Sequence, residues 1–129
     1  MKPDLVTLFQ ALGDRTRLRL LNLIAEGEVC VCYFVELLGE PQPKISRHLA
    51  YLRRAGLVTA RREGKWMHYS LAPLAVDDVK RVLEATLHSL RHDRQMQRDR
   101  EALQKACCAV KLPAELRKAP RPSLAANAS

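Results

Sequence analysis

Little in this chain of 129 residues points to catalysis, export or membrane insertion. It has only 5 glycines, none in a run that would cradle a phosphate, and no Ser, His and Asp arrangement of a nucleophilic enzyme. No apolar run approaches the roughly 18 residues a spanning helix needs. The opening MKPDLVTLFQALGD lacks the basic start, apolar stretch and small-residue cleavage site of a signal peptide, so the expected location is cytoplasmic. Cysteine is sparse and clustered, with Cys30-Val31-Cys32 and Cys107-Cys108 accounting for all 4. Neither pair has the Cys-x-x-Cys spacing of a redox enzyme beside a βαβ unit, which makes a thiol oxidoreductase a distant third possibility. In a reducing compartment such pairs are thiols with a metal or redox role, or small buried hydrophobes.

What is present suits one soluble domain, with 47% hydrophobic and 28% charged residues. Acidic residues are scarce in one place. Residues 42–69 hold Lys44, Arg47, Arg53, Arg54, Arg61, Arg62 and Lys65 against Glu63 alone, a net +6 out of a formal +8. Charge of that density suits phosphate contacts, because each neutralised phosphate releases condensed counterions. Taken by itself it also fits a solvated basic face.

Periodicity supplies the frame. Leu5, Leu8, Phe9 and Leu12 share one helical face before Gly13, and Asp14 is placed to cap a second helix carrying Leu18, Leu21 and Ile24 that ends near Gly27. A third, short helix is expected over Cys30 to Leu38, stopped by Gly39 and Pro41. A fourth starts at Pro43, with Ile45, Leu49 and Leu52 inside and Lys44, Arg47, His48, Arg53 and Arg54 outside. Two helices joined by a tight turn, the second basic, form a helix-turn-helix layout. The runs 57–62 and 65–71 around Glu63-Gly64 read as a β-hairpin, a wing. The fold class is therefore mainly α with a small β-hairpin, a winged helix-turn-helix. From Ala75 a helix of about 30 residues is expected, roughly 45 Å if unbroken. Its stripe of Val79, Val82, Leu83, Thr86, Leu87 and Leu90 needs a partner, so this helix and the first are read as a homodimer interface. RHDRQMQRDRE reads as solvated on all sides, residues 1–110 as one DNA-binding and dimerisation domain, and residues 111–129 as a disordered tail.

Four motifs, ALGDRTRL from Ala11, EVCVC from Glu28, QPKISRHLA from Gln42 and GKWMHY from Gly64, together resemble the ArsR/SmtB family of metalloregulatory winged-helix repressors. The likeness runs from about residue 5 to residue 90, and Cys-Val-Cys resembles the arsenic- and antimony-sensing subgroup. The resemblance implies a dimeric repressor of an arsenic-resistance operon, without a permanent cofactor, that leaves double-stranded operator DNA when As(III) or Sb(III) is bound, as arsenite, antimonite or an organoarsenical. It assigns Cys30 and Cys32 as thiolate ligands. Members of the subgroup often have a third cysteine two residues further on; here that position is Phe34, so either the site works with two thiolates, or Cys107 or Cys108 completes it, or that second pair forms a site of its own.

The Cys-x-Cys spacing carries its own argument. On a regular helix residues i and i+2 lie about 200° apart, whereas on extended backbone they share a side. Chelation of one soft ion by Cys30 and Cys32 is thus expected to unwind or reorient the start of the third helix. Glu84, His88 and His92, at i, i+4 and i+8, make a zinc-sensing repressor the alternative, and a thiol-redox repressor is another. For DNA, Gln42, Ser46, Arg47 and His48 occupy the first turns of the basic helix, the part that meets base edges. Lys44, Arg54, Arg61, Arg62 and Lys65 are expected at phosphates.

Overall fold

Two aspartates start the fold. In the computed structural model, which describes residues 4–75, 77–108 and 113–124 and of Cys108 the backbone alone, Asp4 accepts a hydrogen bond from the Thr7 amide at 2.8 Å and Asp14 one from the Arg17 amide at 3.0 Å. These side chains satisfy amides that a helix start leaves unpaired. They open α1 (Leu5–Leu12) and α2 (Arg15–Ile24). Leu8, Leu20, Leu21, Leu23 and Ile24 lie in the centre of the core.

The chain then does something the periodicity did not foretell. Gly27–Cys30 is a strand, β1, and α3 (Val31–Leu38) begins only after it. Gly39, in the left-handed conformation with φ 66°, closes α3 and turns the chain into α4 (Gln42–Arg54). Pro43 falls in the first turn of α4, where its missing N–H costs nothing. Ile45, Leu49 and Leu52 are fully buried, each contributing about 1.5–3 kcal/mol of burial. The wing follows as β2 (Val58–Glu63) and β3 (Trp66–Leu71), paired in register from Val58 opposite Leu71 to Glu63 opposite Trp66.

β1 joins β3 antiparallel, with Cys30 opposite His68, and a last strand β4 (Ser123–Leu124) joins the far edge of β1. The sheet order is β2-β3-β1-β4. Gly27 is required at the β1–β4 contact, since a Cβ there would collide with the carbonyl oxygen of Ser123.

Three expectations need correction. The 30-residue helix is two helices, α5 (Asp78–Leu90) and α6 (Arg94–Cys108), because the chain turns at 91–93 and Asp93 caps the new start by accepting from the Met96 amide at 3.1 Å. The run read as solvated on all sides instead folds back on α2. Met96 and Leu103 are fully buried, Asp99 pairs with Arg19 at 2.8 Å, and Asn22 donates to the Met96 carbonyl at 3.0 Å while accepting from Arg100 at 2.8 Å. The segment 113–124, read as part of a disordered tail, carries a 3-10 turn (Ala114–Leu116) and β4, because Leu116, Ala119 and Leu124 bury themselves against the core. The rest of that tail lies outside the described residues. Of the stripe expected on the long helix, Val79 and Leu83 are buried and Val82 and Leu87 half-buried. On α1, Val6 (69%) and Phe9 (57%) stay exposed.

No helix among the described residues is long and apolar enough to cross a membrane.

Candidate functional site

With its apolar side facing inward, α4 presents Gln42, Ser46 and Arg47 to solvent at its N-terminal half and Arg54 in its last turn. Lys44 is partly held by Glu40, 3.1 Å away. His48 differs from its neighbours. It is half-buried, its Nδ1 lies 3.4 Å from the Arg17 guanidinium and 3.9 Å from the Asp14 carboxylate, and burial holds its pKa below the usual histidine value. It packs α4 onto α2 as a neutral ring. Arg17, to which no role was assigned from sequence, donates to the Ala11 and Gln10 carbonyls at the end of α1 and stacks 4.1 Å over Tyr51. Arg17, Lys44, Arg47 and Arg54 together line an open hollow of about 450 Å³ beside α4, a cationic surface suited to phosphate.

The wing arranges its cations differently from one another. Arg61 reaches across the sheet to Glu28 on β1, donating through Nε and Nη2 at 3.0 and 2.6 Å. That pairing holds the Glu28 carboxyl below its usual pKa. Arg62 donates to the Gly64 carbonyl at 3.1 Å, and the Lys65 ammonium lies 5.0 Å from the Trp66 ring. Both remain exposed. The hold of Glu28 on Arg61 had no sequence signal, since 33 residues separate them.

The first cysteine pair is gathered. Cys30 is the last residue of β1, with ψ 144°, and Cys32 sits in the first turn of α3. The switch from extended to helical backbone turns both side chains to one side, and the two sulfurs stand 3.8 Å apart. This corrects the expectation that chelation must unwind α3, which assumed both residues lay on regular helix. Two sulfurs bound to one tetrahedral zinc at about 2.3 Å stand about 3.8 Å apart, and a pyramidal three-coordinate centre such as trivalent arsenic needs them only a few tenths of an ångström closer, within reach of a side-chain adjustment. Cys30 is 1% exposed, and burial pushes its thiol pKa up to about 11. The pair opens into a cleft of about 340 Å³ whose other walls are Gln42 and Ser46 of α4 and Lys65, Trp66, Met67 and Tyr69 of the wing.

Cys107 is not among the described residues that line this cleft. The Cys107 thiol, at the end of α6, donates to the Pro122 carbonyl at 3.5 Å, and Arg121 donates to the carbonyls of Ala106 and Cys107 at 3.4 and 3.0 Å. The side chain of Cys108 lies outside the described residues. Among the described residues no hydrogen-bond partner reaches the buried Tyr33 hydroxyl, which lies within electrostatic reach of Arg121, Cys107, Cys30 and Cys32. The His88 and His92 rings are 5.9 Å apart, and among the described residues no three His, Cys, Asp or Glu side chains converge to hold a metal ion.

Residues 14–60, which include β1, α3 and α4, match the family model "Bacterial regulatory protein, arsR family". The chain is 52% identical over 69 residues to the arsenical resistance operon repressor of Escherichia coli K12, covering 53% of this chain and 59% of that protein. It is 46% identical over 83 residues to an arsenic resistance transcriptional regulator of Pseudomonas putida, covering 64% of this chain and 72% of that one. Among solved structures, the homodimeric winged helix-turn-helix DNA-binding domain of a possible ArsR-family regulator from Mycobacterium bovis superposes with a TM-score of 0.56 at 31% identity, over 69% of this chain and 81% of that one.

Proposed function

This chain belongs to the arsR family of bacterial regulatory proteins, and from that premise we propose that it is a homodimeric repressor of an arsenic-resistance operon, released from its operator when trivalent arsenic binds Cys30 and Cys32. The names of the relatives above support arsenic as the inducer, and the homodimeric Mycobacterium bovis domain supports the dimer. The observation that carries the reading is the pair of sulfurs 3.8 Å apart in a cleft shared with the start of α4 and the wing.

In this reading α4 enters the major groove. Gln42, Ser46 and Arg47 meet base edges, and Lys44, Arg54, Arg62 and Lys65 meet phosphates. Arg61 joins them only when it leaves Glu28, and His48 contributes by holding α4 in place. The exposed Val6 and Phe9 of α1, with the adjoining face of α5, cover the same surface of a second copy.

The inducer chemistry needs no oxidant. Each thiol proton passes to a hydroxyl on arsenic and leaves with it as water, an As–S bond replaces the As–O bond, and arsenic stays trivalent. The bound atom sits in the cleft that the two cysteines share with the start of α4 and the wing, so its binding is coupled to the placement of those two DNA-reading elements. Binding of arsenic to the protein, followed by arsenic analysis after gel filtration, tests this: about one atom per chain for wild type and none for Cys30→Ser/Cys32→Ser. Peroxide serves as the comparison for a thiol-redox switch, and zinc for the Glu84, His88 and His92 alternative.

A further inference from the structure

Two helices have separate tasks in the proposed repressor. α1 carries the exposed Val6 and Phe9 toward a second copy, and α4 carries Gln42, Ser46 and Arg47 toward DNA. α2 packs against both, and one of its side chains holds both at once. The Arg17 guanidinium donates through Nε to the Ala11 carbonyl at 2.8 Å and through Nη2 to the Gln10 carbonyl at 3.0 Å, closing the C-terminal end of α1. Its Nη1 stands 3.4 Å from Nδ1 of His48, and its Cζ lies 4.1 Å from the centre of the Tyr51 ring, both on α4. An arginine only donates, so His48 accepts at Nδ1 and carries its proton on Nε2.

These contacts suit arginine in particular. The last carbonyls of a helix lack intrahelical partners and form the negative end of its dipole, which favours a cation there. A planar fork can bond two carbonyls while its face stacks on a ring, and the point charge of a lysine cannot do both. The neighbouring arginines of α2 are aimed elsewhere: Arg15 pairs with Asp93 at 3.1 Å and Arg19 with Asp99 at 2.8 Å, fastening α6.

We propose that Arg17 is a positioning residue for DNA binding: it fixes the angle of α4 against α1, and thereby the separation and relative rotation of the two reading helices in the dimer. The inference rests on the reading of the chain as a homodimeric repressor. In a two-fold dimer a change of that angle occurs in both copies, so the error appears twice at the DNA. Reading helices one helical turn apart must match about 34–36 Å, and each base pair added or removed between half-sites turns them by about 35° relative to each other. Arg17 therefore governs which spacing is read, while Gln42, Ser46 and Arg47 meet the bases.

The test uses the promoter fragment upstream of the gene with its dyad mapped by footprinting, copies with one base pair added or removed at that dyad, and a duplex carrying a single half-site. Anisotropy titrations compare the wild-type full chain with Arg17→Lys, which keeps the charge, and Tyr51→Leu, which removes the ring and keeps an apolar group. Wild type is expected to bind the altered spacings about 10- to 100-fold more weakly than the native one. Arg17→Lys is expected to narrow that discrimination about three- to tenfold, the range one lost hydrogen bond spans, with half-site affinity held within about twofold. Tyr51→Leu is expected to narrow it by less, and it decides alone if Arg17→Lys fails to fold. Discrimination equal to wild type in these variants leaves Arg17 a charge and nothing more, which overturns the inference. A loss of half-site affinity as large as the loss on the native fragment overturns it as well, since that marks a general weakening of the fold. So does a wild-type dimer indifferent to spacing. Wild-type protein that sediments as a monomer brings down the homodimer reading itself.

Discussion

Glu28 accepts two charge-assisted hydrogen bonds from Arg61, at 3.0 and 2.6 Å, and so ties the wing to the strand that ends in Cys30. In the proposed DNA complex that pairing competes with a phosphate for the Arg61 guanidinium. Glu28→Gln is expected to free Arg61, raising operator affinity and steepening the log–log salt dependence by about one unit. Fluorescence anisotropy across a salt series reads both quantities. Arg61→Gln should leave the wild-type slope nearly unchanged, whereas Lys65→Gln should lower it by about one unit.

A second prediction concerns α6. Arg19 and Asp99 pair at 2.8 Å with side chains only 15% and 8% exposed, fastening α6 to α2. Asp99→Ala leaves the guanidinium without its partner and is expected to cost about 3 kcal/mol, the lower end for a buried pair, because this one keeps some solvent. Urea unfolding measures it. Replacing both residues, Arg19→Met with Asp99→Leu, should recover most of the loss.

That same helix marks where sequence reading stopped. The first four helices and the wing were legible because their apolar residues recur at helical or alternating spacing and glycines close them, as Gly39 does for α3. The inward face of α6 consists of Met96, Asp99 and Leu103, and a buried aspartate counts as polar in any periodicity. The break at 91–93 contains neither glycine nor proline, only the capping Asp93. β1 escaped because four residues are too few for a pattern and its partner strand begins at Trp66. The Cys-Val-Cys motif could be read as a thiol site, but the 3.8 Å geometry depends on that unseen strand.

The Cys30 thiol carries a pH signature. Burial raises its pKa from 9.0 to about 11, so the fold favours the protonated form. Its contribution to stability is fully present below pH 9 and is lost as pH rises through about 11. The urea midpoint is expected to fall across that window in wild type and to fall less in Cys30→Ser. The buried thiol also fixes the proton balance of binding. An uncharged arsenical carries the Cys30 proton away in water, so its affinity should be flat near neutrality. Zinc must expel that proton to solvent and should tighten by roughly tenfold per pH unit for that thiol.

Dimerisation is tested on α1. Phe9 is 57% exposed and Val6 69%, apolar groups that a second copy would cover. Phe9→Glu is expected to convert the dimer to monomer by sedimentation equilibrium. Operator affinity should fall with it, because two half-sites are then no longer held by one molecule.

The central claim is that Cys30 and Cys32 form the switch that controls DNA release. Its most direct test is an anisotropy titration of a promoter fragment upstream of the gene, with and without a trivalent arsenical, on wild type, Cys30→Ser/Cys32→Ser and Cys107→Ser/Cys108→Ser. The account predicts that the arsenical releases DNA from wild type and from the Cys107 and Cys108 variant, while the Cys30 and Cys32 variant stays bound. Release from the Cys30 and Cys32 variant at the same arsenical concentration, or wild-type protein that holds DNA throughout the titration, contradicts it.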